Sequence, residues 1–206
     1  RAYALGCKDT HFNNPHGLHD ESHYTTARDL ARITQAALKS ENFRQIVDTA
    51  EYVIPESATG QEHKLKTTNL LIYESTGNSL YYPRATGVKT GYTSAAGRCL
   101  VATAEDDGIR FLSVLCGAKT TILESGDLLM ESFPETIKLL DYGFDNYSYV
   151  TALSPLYPIA QVSVLNSAAS ETVAVAPAKD VRILLPANYN PEALRTEILL
   201  DANEVE

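Results

Sequence analysis

The sequence predicts an α+β protein, with helices packed on an antiparallel sheet over residues 1–145 and a small all-β domain over residues 146–206. Three observations carry this. Two segments near the start repeat their apolar residues at helical spacing behind good capping residues. Two β-rich apolar runs, Arg98–Ala104 and Ile109–Ala118, are joined by Asp106-Asp107-Gly108, and Asp-Gly between such runs is a strong hairpin signal. Beyond about residue 145 the character changes to short alternating runs separated by Pro and Asn.

Taken in order, Arg1-Ala2-Tyr3-Ala4-Leu5-Gly6 reads as the tail of a helix stopped by glycine. The protein is therefore expected to continue upstream of Arg1. Residues 7–24 form a polar loop rich in His, Asn and Gly. Thr26 caps a helix with Asp29 three residues on, and Leu30, Ile33, Ala37 and Leu38 mark its buried face. Ser40 caps a second helix carrying Phe43, Ile46 and Val47. Glu51–Pro55 is a short strand, 56–64 a polar turn, and Asn69–Ile72 leads into a loop with Gly77 and Asn78. Thr86–Thr93 is a Gly-containing segment. The two runs of the hairpin are apolar at nearly every position, as expected of central strands covered on both faces. Residues 121–142 read as helical, broken or restarted at Pro134 and stopped at Gly143. In the last domain, Ala160–Leu165, Thr172–Val175, Val181–Leu185 and Thr196–Leu200 read as strands. At roughly 60 residues this domain is expected to be cut short.

Composition narrows the function. The chain has 206 residues, 44% hydrophobic and 21% charged, which supports a packed core without disulfides or structural metal. Net charge is -9 with Lys and Arg spread singly, which argues against a nucleic-acid binder. No apolar run is long enough to cross a membrane. The three cysteines, Cys7, Cys99 and Cys116, show no CxxC spacing and read as small buried hydrophobes. His11, His16, His19 and His23 crowd one loop beside Asp20 and Glu21. A compact loop could ligate a metal through them, but the spacing is not HExxH and Pro and Gly interrupt it. They read as rim or turn residues.

The segment with chemical content is Gly87-Val88-Lys89-Thr90-Gly91-Tyr92-Thr93, leading through Ser94-Ala95-Ala96-Gly97 into the hairpin. Further stretches accompany it: Lys8 to Leu18 (KDTHFNNPHGL), Tyr24 to Ala31 (YTTARDLA) and Leu139 to Phe144 (LLDYGF). Together these resemble the low-molecular-mass penicillin-binding proteins, the serine-type D-alanyl-D-alanine carboxypeptidases, over most of residues 1–145 and in the expected order. In penicillin-recognising enzymes Lys-Thr-Gly accompanies Ser-x-x-Lys and a Ser-x-Asn motif. The resemblance implies that residues 1–145 are the C-terminal portion of a transpeptidase-like catalytic domain.

It also implies roles. Lys89 supplies positive potential and orients protons near the nucleophile. The Thr90 hydroxyl binds the substrate carboxylate, and Gly91 lets the substrate backbone lie along the strand. The N–H near Tyr92 or Thr93 is a candidate oxyanion donor. Tyr92 either lines the groove or packs over the strand end.

Two features depart from the family. No serine begins a Ser-x-x-Lys: Ser75 leads to Asn78, Ser94 to Gly97 and Ser132 to Glu135. Ser40-Glu41-Asn42 has Ser-x-Asn letters but sits at a helix start. Both motifs are expected upstream, so this stretch by itself should be inactive. Secondly, no Arg occurs between Lys119 and Lys138 to hold the substrate carboxylate, and Lys119 lacks the bidentate fork.

The implied partners are peptidoglycan stem peptides and β-lactams, with no metal or organic cofactor and no nucleic acid. Membrane attachment would come only through segments outside this stretch, in a bacterial cell envelope. Because the fold is incomplete, association with a partner chain is expected. A non-catalytic cell-wall-binding module on the same fold is the alternative. A β-lactamase is a third reading, which the second β domain disfavours by analogy.

Overall fold

The computed structural model describes residues 1–166, 171–199 and 204–205. The chain divides into two compact units, Arg1–Gly143 and Phe144–Glu206.

The first unit begins with a 3-10 turn, Tyr3–Leu5, ended by Gly6 in the left-handed region. Helices α1 (Ala27–Ala37) and α2 (Glu41–Val47) follow, with Thr26 and Ser40 accepting from the N–H groups of Asp29 and Phe43 as their sequence positions require. Strand β1 (Glu51–Ile54) and strand β2 (His63–Lys66) pair antiparallel, with the short helix α3 (Glu56–Thr59) between them. The main sheet is β3 (Ala85–Thr93), β4 (Gly97–Asp106) and β5 (Ile109–Ala118), in that order and antiparallel. In the β4–β5 turn, Asp107 and Gly108 have φ of 48° and 75°, the two positive values that a type I′ hairpin requires. Leu100, Ala102 and Ala104 of β4 are buried and form the centre of the core with Leu71, Phe133 and Leu140.

Three expectations are corrected here. Residues 121–142 are not one helix. Strands β6 (Thr120–Ile122) and β7 (Leu128–Met130) form a hairpin, and helix α4 runs Ser132–Asn146. The apolar residues on either side of Ser125-Gly126-Asp127 mimic a helical repeat, but that trio is turn chemistry: the Ser125 hydroxyl donates to Asp127 at 2.8 Å and Gly126 has φ of 85°. Of the two alternatives at Pro134, the structure shows the restart: Pro134 lies in the first turn of α4, where its missing N–H costs nothing. Strand β5 is an edge of the described sheet, not a central strand. It runs close to α1, and its Phe111 packs against α4, where a Cβ at Gly143 would stand 3.0 Å from the ring. Finally, only Cys7 is buried; Cys99 is half-buried and Cys116 exposed.

The polar loop is fastened to α1 by one carboxylate. Asp29 is 2% exposed and accepts from the Asp9 N–H at 2.9 Å, the Thr10 hydroxyl at 2.8 Å and Arg32 at 3.2 Å. Desolvation by burial acts to raise its pKa, but these donors and the Arg32 charge hold it below the ordinary value of 3.8. A lowered carboxylate pKa stabilises the fold fully above 3.8, and that contribution is lost as pH falls through the lowered value. Asp29→Asn should therefore lower the thermal midpoint near neutral pH and flatten its dependence below pH 3.8. Parallel melts of the two proteins across that range check this; superimposable pH profiles would contradict it.

The second unit is all β. Strand β8 (Tyr147–Leu153) pairs antiparallel with β11 (Val181–Pro186). Strand β9 (Ala160–Val164) lies between β10 (Thr172–Val175), antiparallel, and β12 (Glu204–Val205), parallel. Val162 of β9 is its buried apolar centre among the described residues. Thr196–Leu199, expected as strand, is irregular, and Leu200 lies outside the described residues. Strand β8 was not anticipated, because Tyr147-Ser148-Tyr149-Val150 follows directly on a helix with no turn residue between them.

Candidate functional site

Lys89, Thr90, Gly91, Tyr92 and Thr93 all lie on β3, at the edge of the main sheet among the described residues. The strand is held on one side only, with Lys89 opposite Val101, Thr90 opposite Leu100, Gly91 opposite Cys99, Tyr92 opposite Arg98 and Thr93 opposite Gly97. An antiparallel edge of this kind leaves backbone groups for an extended ligand. Gly91 adds no bulk there, since a Cβ at that position would meet nothing within 4 Å.

The side chains differ in how firmly they are set. Lys89 is exposed, and its ammonium donates to the Thr90 carbonyl at 2.5 Å. The half-buried Thr90 has its hydroxyl 2.5 Å from that of Thr68, a residue just beyond β2. Tyr92 is 59% exposed, with the Arg98 guanidinium 4.5 Å from its ring centroid. Thr93 spends its hydroxyl on the turn into β4, accepting from the Ala96 N–H at 3.0 Å.

Beside the triplet lies a groove of about 820 Å³. Ile46 and Val47 of α2 form one wall, Tyr52 and Leu65 of the β1–β2 hairpin another, and Lys89 and Thr68 stand at its edge. Gly87 sets how close α2 comes. Its φ is 130°, and a Cβ there would fall 2.9 Å from the Val47 side chain. The groove is thus apolar along its walls and cationic at Lys89 and Lys66, whose ammonium sits 3.5 Å from the Tyr73 ring centroid. It suits a ligand with apolar parts and a carboxylate.

Sequence reasoning did not find Thr68 or Val47 beside the triplet, and it gave Gly87, though within the singled-out segment, no role. Thr68 carried only a faint signal, a hydroxyl pair at Thr67-Thr68 directly after a short strand. Lys119, considered as a carboxylate holder, lies between β5 and β6, and its carbonyl accepts from the Glu131 N–H. Nearer the triplet, Arg98 donates to the Thr120 hydroxyl at 3.2 Å.

The histidine loop does not assemble a centre. His11 donates through Nδ1 to the Ser22 carbonyl at 2.7 Å, while His16 and His23 accept from the Leu18 and Asn13 N–H groups. Asp20 is held down to about 2 by the Ser22 hydroxyl and N–H and by Asn13. Among the described residues no group of three or more His, Cys, Asp or Glu is placed to hold a metal ion.

Comparison with known proteins gives a consistent result. A family model described as D-alanyl-D-alanine carboxypeptidase matches residues 1–120. The chain is 36% identical over 157 residues to D-alanyl-D-alanine carboxypeptidase DacF of Bacillus subtilis, covering 76% of this chain and 35% of that protein. With D-alanyl-D-alanine carboxypeptidase DacA of Escherichia coli it shares 29% identity over 203 residues, 98% of this chain and 45% of the other. Penicillin-binding protein 5 from Haemophilus influenzae superposes with a TM-score of 0.66 at 26% identity, over 100% of this chain and 54% of that structure. The Streptomyces K15 DD-transpeptidase superposes with a TM-score of 0.57 at 27% identity, over 70% of this chain and 51% of that structure. The chain thus spans less than half the length of the two curated relatives.

Proposed function

The chain belongs to the D-alanyl-D-alanine carboxypeptidase family, and we propose that it is the triplet-bearing part of a serine-type enzyme that removes the terminal D-alanine from peptidoglycan stem peptides. Residues 1–145 are then the C-terminal portion of the catalytic domain and 146–206 a separate β domain. The enzyme works in a bacterial cell envelope and is acylated by β-lactams. The observation that carries this reading is Lys89-Thr90-Gly91 on an open sheet edge, with the Thr90 hydroxyl held by Thr68 beside the groove.

In this reading the stem peptide lies along β3 as an added strand. Its terminal carboxylate meets the Thr90 hydroxyl and the positive potential of Lys89. A serine outside residues 1–206 attacks the penultimate carbonyl, D-alanine leaves, and water hydrolyses the acyl-enzyme. Lys89 stabilises the charge that develops in this step and helps position the proton. Residues 1–206 contain no Ser-x-x-Lys, so they are inactive by themselves and lean on further chain, or on a partner, to cover the sheet. Membrane attachment, where it occurs, comes from segments outside this stretch, and no nucleic acid takes part.

Intact mass after incubation with a penicillin tests the reading, on residues 1–206 and on a form extended upstream. The drug's mass should appear only on the extended form. Labelling of residues 1–206 themselves would place a nucleophile within them. Labelling of neither would favour a non-catalytic cell-wall-binding module, the reading that the missing Ser-x-x-Lys also permits.

Thr68 then acts as a positioning residue. Thr68→Val in the extended form removes one neutral hydrogen bond, worth about 1 kcal/mol, and should slow acylation roughly 3–10-fold. Thr68→Ser should restore the rate. Stopped-flow acylation with equal rates for valine and wild type would show that Thr90 needs no such support.

A further inference from the structure

Two thiols that the proposed chemistry does not use, Cys99 and Cys116, lie on adjacent strands where the pairing register shifts. Leu100 of β4 pairs with Leu115 of β5, and Arg98 pairs with Ala118. Between those pairs β4 has Cys99 alone, while β5 has both Cys116 and Gly117. This is a β-bulge, in which two residues oppose one. Continuing the Leu100–Leu115 register by one residue sets Cys99 directly opposite Cys116. Gly117 makes the bulge possible, with φ of 75°, and Gly97 packs against it closely enough that a Cβ there would stand 3.1 Å from the Gly117 Cα.

We propose that Cys99 and Cys116 are a covalent modification site, joined by a cross-strand disulfide when the protein meets a disulfide donor. Facing residues of an antiparallel pair have Cα atoms about 4.5–5.5 Å apart, inside the roughly 4.4–6.8 Å window that a disulfide spans. Side chains of facing residues share one side of the sheet, so the two sulfurs project the same way. On its other flank Cys99 faces Gly91, which has no side chain to intervene. Cys116 is exposed and offers the entry point; Cys99 is half-buried beside it. The electrostatics agree with two adjacent sulfurs: the Cys116 thiol is pushed up first by burial and then by the charge and hydrogen bond of Cys99.

The chemistry is thiol–disulfide exchange. The Cys116 thiolate attacks one sulfur of a donor RSSR and expels RS⁻, leaving a mixed disulfide. The Cys99 thiolate attacks the Cys116 sulfur, forms the Cys99–Cys116 bond and expels the second RS⁻. The two cysteine protons end on two RSH, and two electrons pass from the cysteines to the donor. The product clamps β4 to β5 at the residue that pairs with Gly91 of the triplet.

The test treats residues 1–206 and the upstream-extended form with oxidised glutathione, then unfolds them in urea with N-ethylmaleimide present to block every remaining thiol, buried Cys7 included, and maps peptides by mass spectrometry. The expected product has lost two hydrogens, carries one maleimide at Cys7, and yields a linked peptide pair containing Cys99 and Cys116. Cys99→Ser should leave glutathione on Cys116, and Cys7→Ser should leave the link unchanged. In urea the pairing should spread over all three cysteines, because the register that selects one pair is lost. Native protein with maleimide or glutathione on both Cys99 and Cys116, a link to Cys7, or the same selectivity in urea would each overturn the proposal. None of these readouts depends on carboxypeptidase activity.

Discussion

Lys89→Ala, made in the form that carries the upstream segment, is expected to slow acylation by penicillin about 10²–10³-fold. This is the magnitude found when a single group that stabilises developing charge or moves a proton is removed. The prediction follows from position. Lys89 stands at the edge of an apolar groove of about 820 Å³, on a strand whose outer side is open among the described residues. Its ammonium meets the Thr90 carbonyl and is otherwise free to face a ligand carboxylate. Because Lys89 is exposed, its loss should change stability by no more than about 0.5 kcal/mol. Lys89→Arg keeps the charge but spreads it over a planar fork, so partial activity is expected. Rapid-mixing acylation kinetics and a thermal melt together check this. Alanine and wild-type rates within about threefold of each other would mean that Lys89 merely guards the sheet edge against pairing.

Leu100→Ala should give the largest stability loss, about 2–5 kcal/mol. Leu100 is fully buried at the centre of β4, with Thr90 opposite on β3 and Leu115 opposite on β5. Truncation leaves a cavity in the middle strand, which is hydrogen-bonded on both sides and cannot collapse inward. At roughly 2–4 °C per kcal/mol for a protein of this size, the midpoint should fall by about 4–20 °C. Calorimetry measures it directly. A shift near zero would show that the described sheet is not the cooperative core.

Some elements were legible because their signals are local. Thr26 and Ser40 announce α1 and α2, since a cap needs only the N–H groups of the next turn. Asp107-Gly108 announces the β4–β5 hairpin because few residues tolerate positive φ at both positions. The family was legible through Lys89-Thr90-Gly91 together with its neighbouring stretches, and the family comparison agrees with that resemblance. Where local signals conflicted, the reading failed. The apolar residues of 121–131 fit a helix in periodicity, and Ser125-Gly126-Asp127 outweighed them. Pro134 reads equally as a helix start or a break when the neighbouring hairpin is unknown.

By itself the sequence determined the family, the capped helices and the hairpin turn. Each of these is specified by residues within a few positions of one another. The tertiary structure decided what depends on distant partners. It joined the Thr68 and Thr90 hydroxyls, 22 residues apart. It set Val47 against Gly87 to shape the groove, and it shifted the β4–β5 register by one residue between Arg98 and Leu100. No local pattern encodes these meetings, because they follow from which strands pair and in what register. That outcome is chosen by burial of the whole core rather than by any single segment.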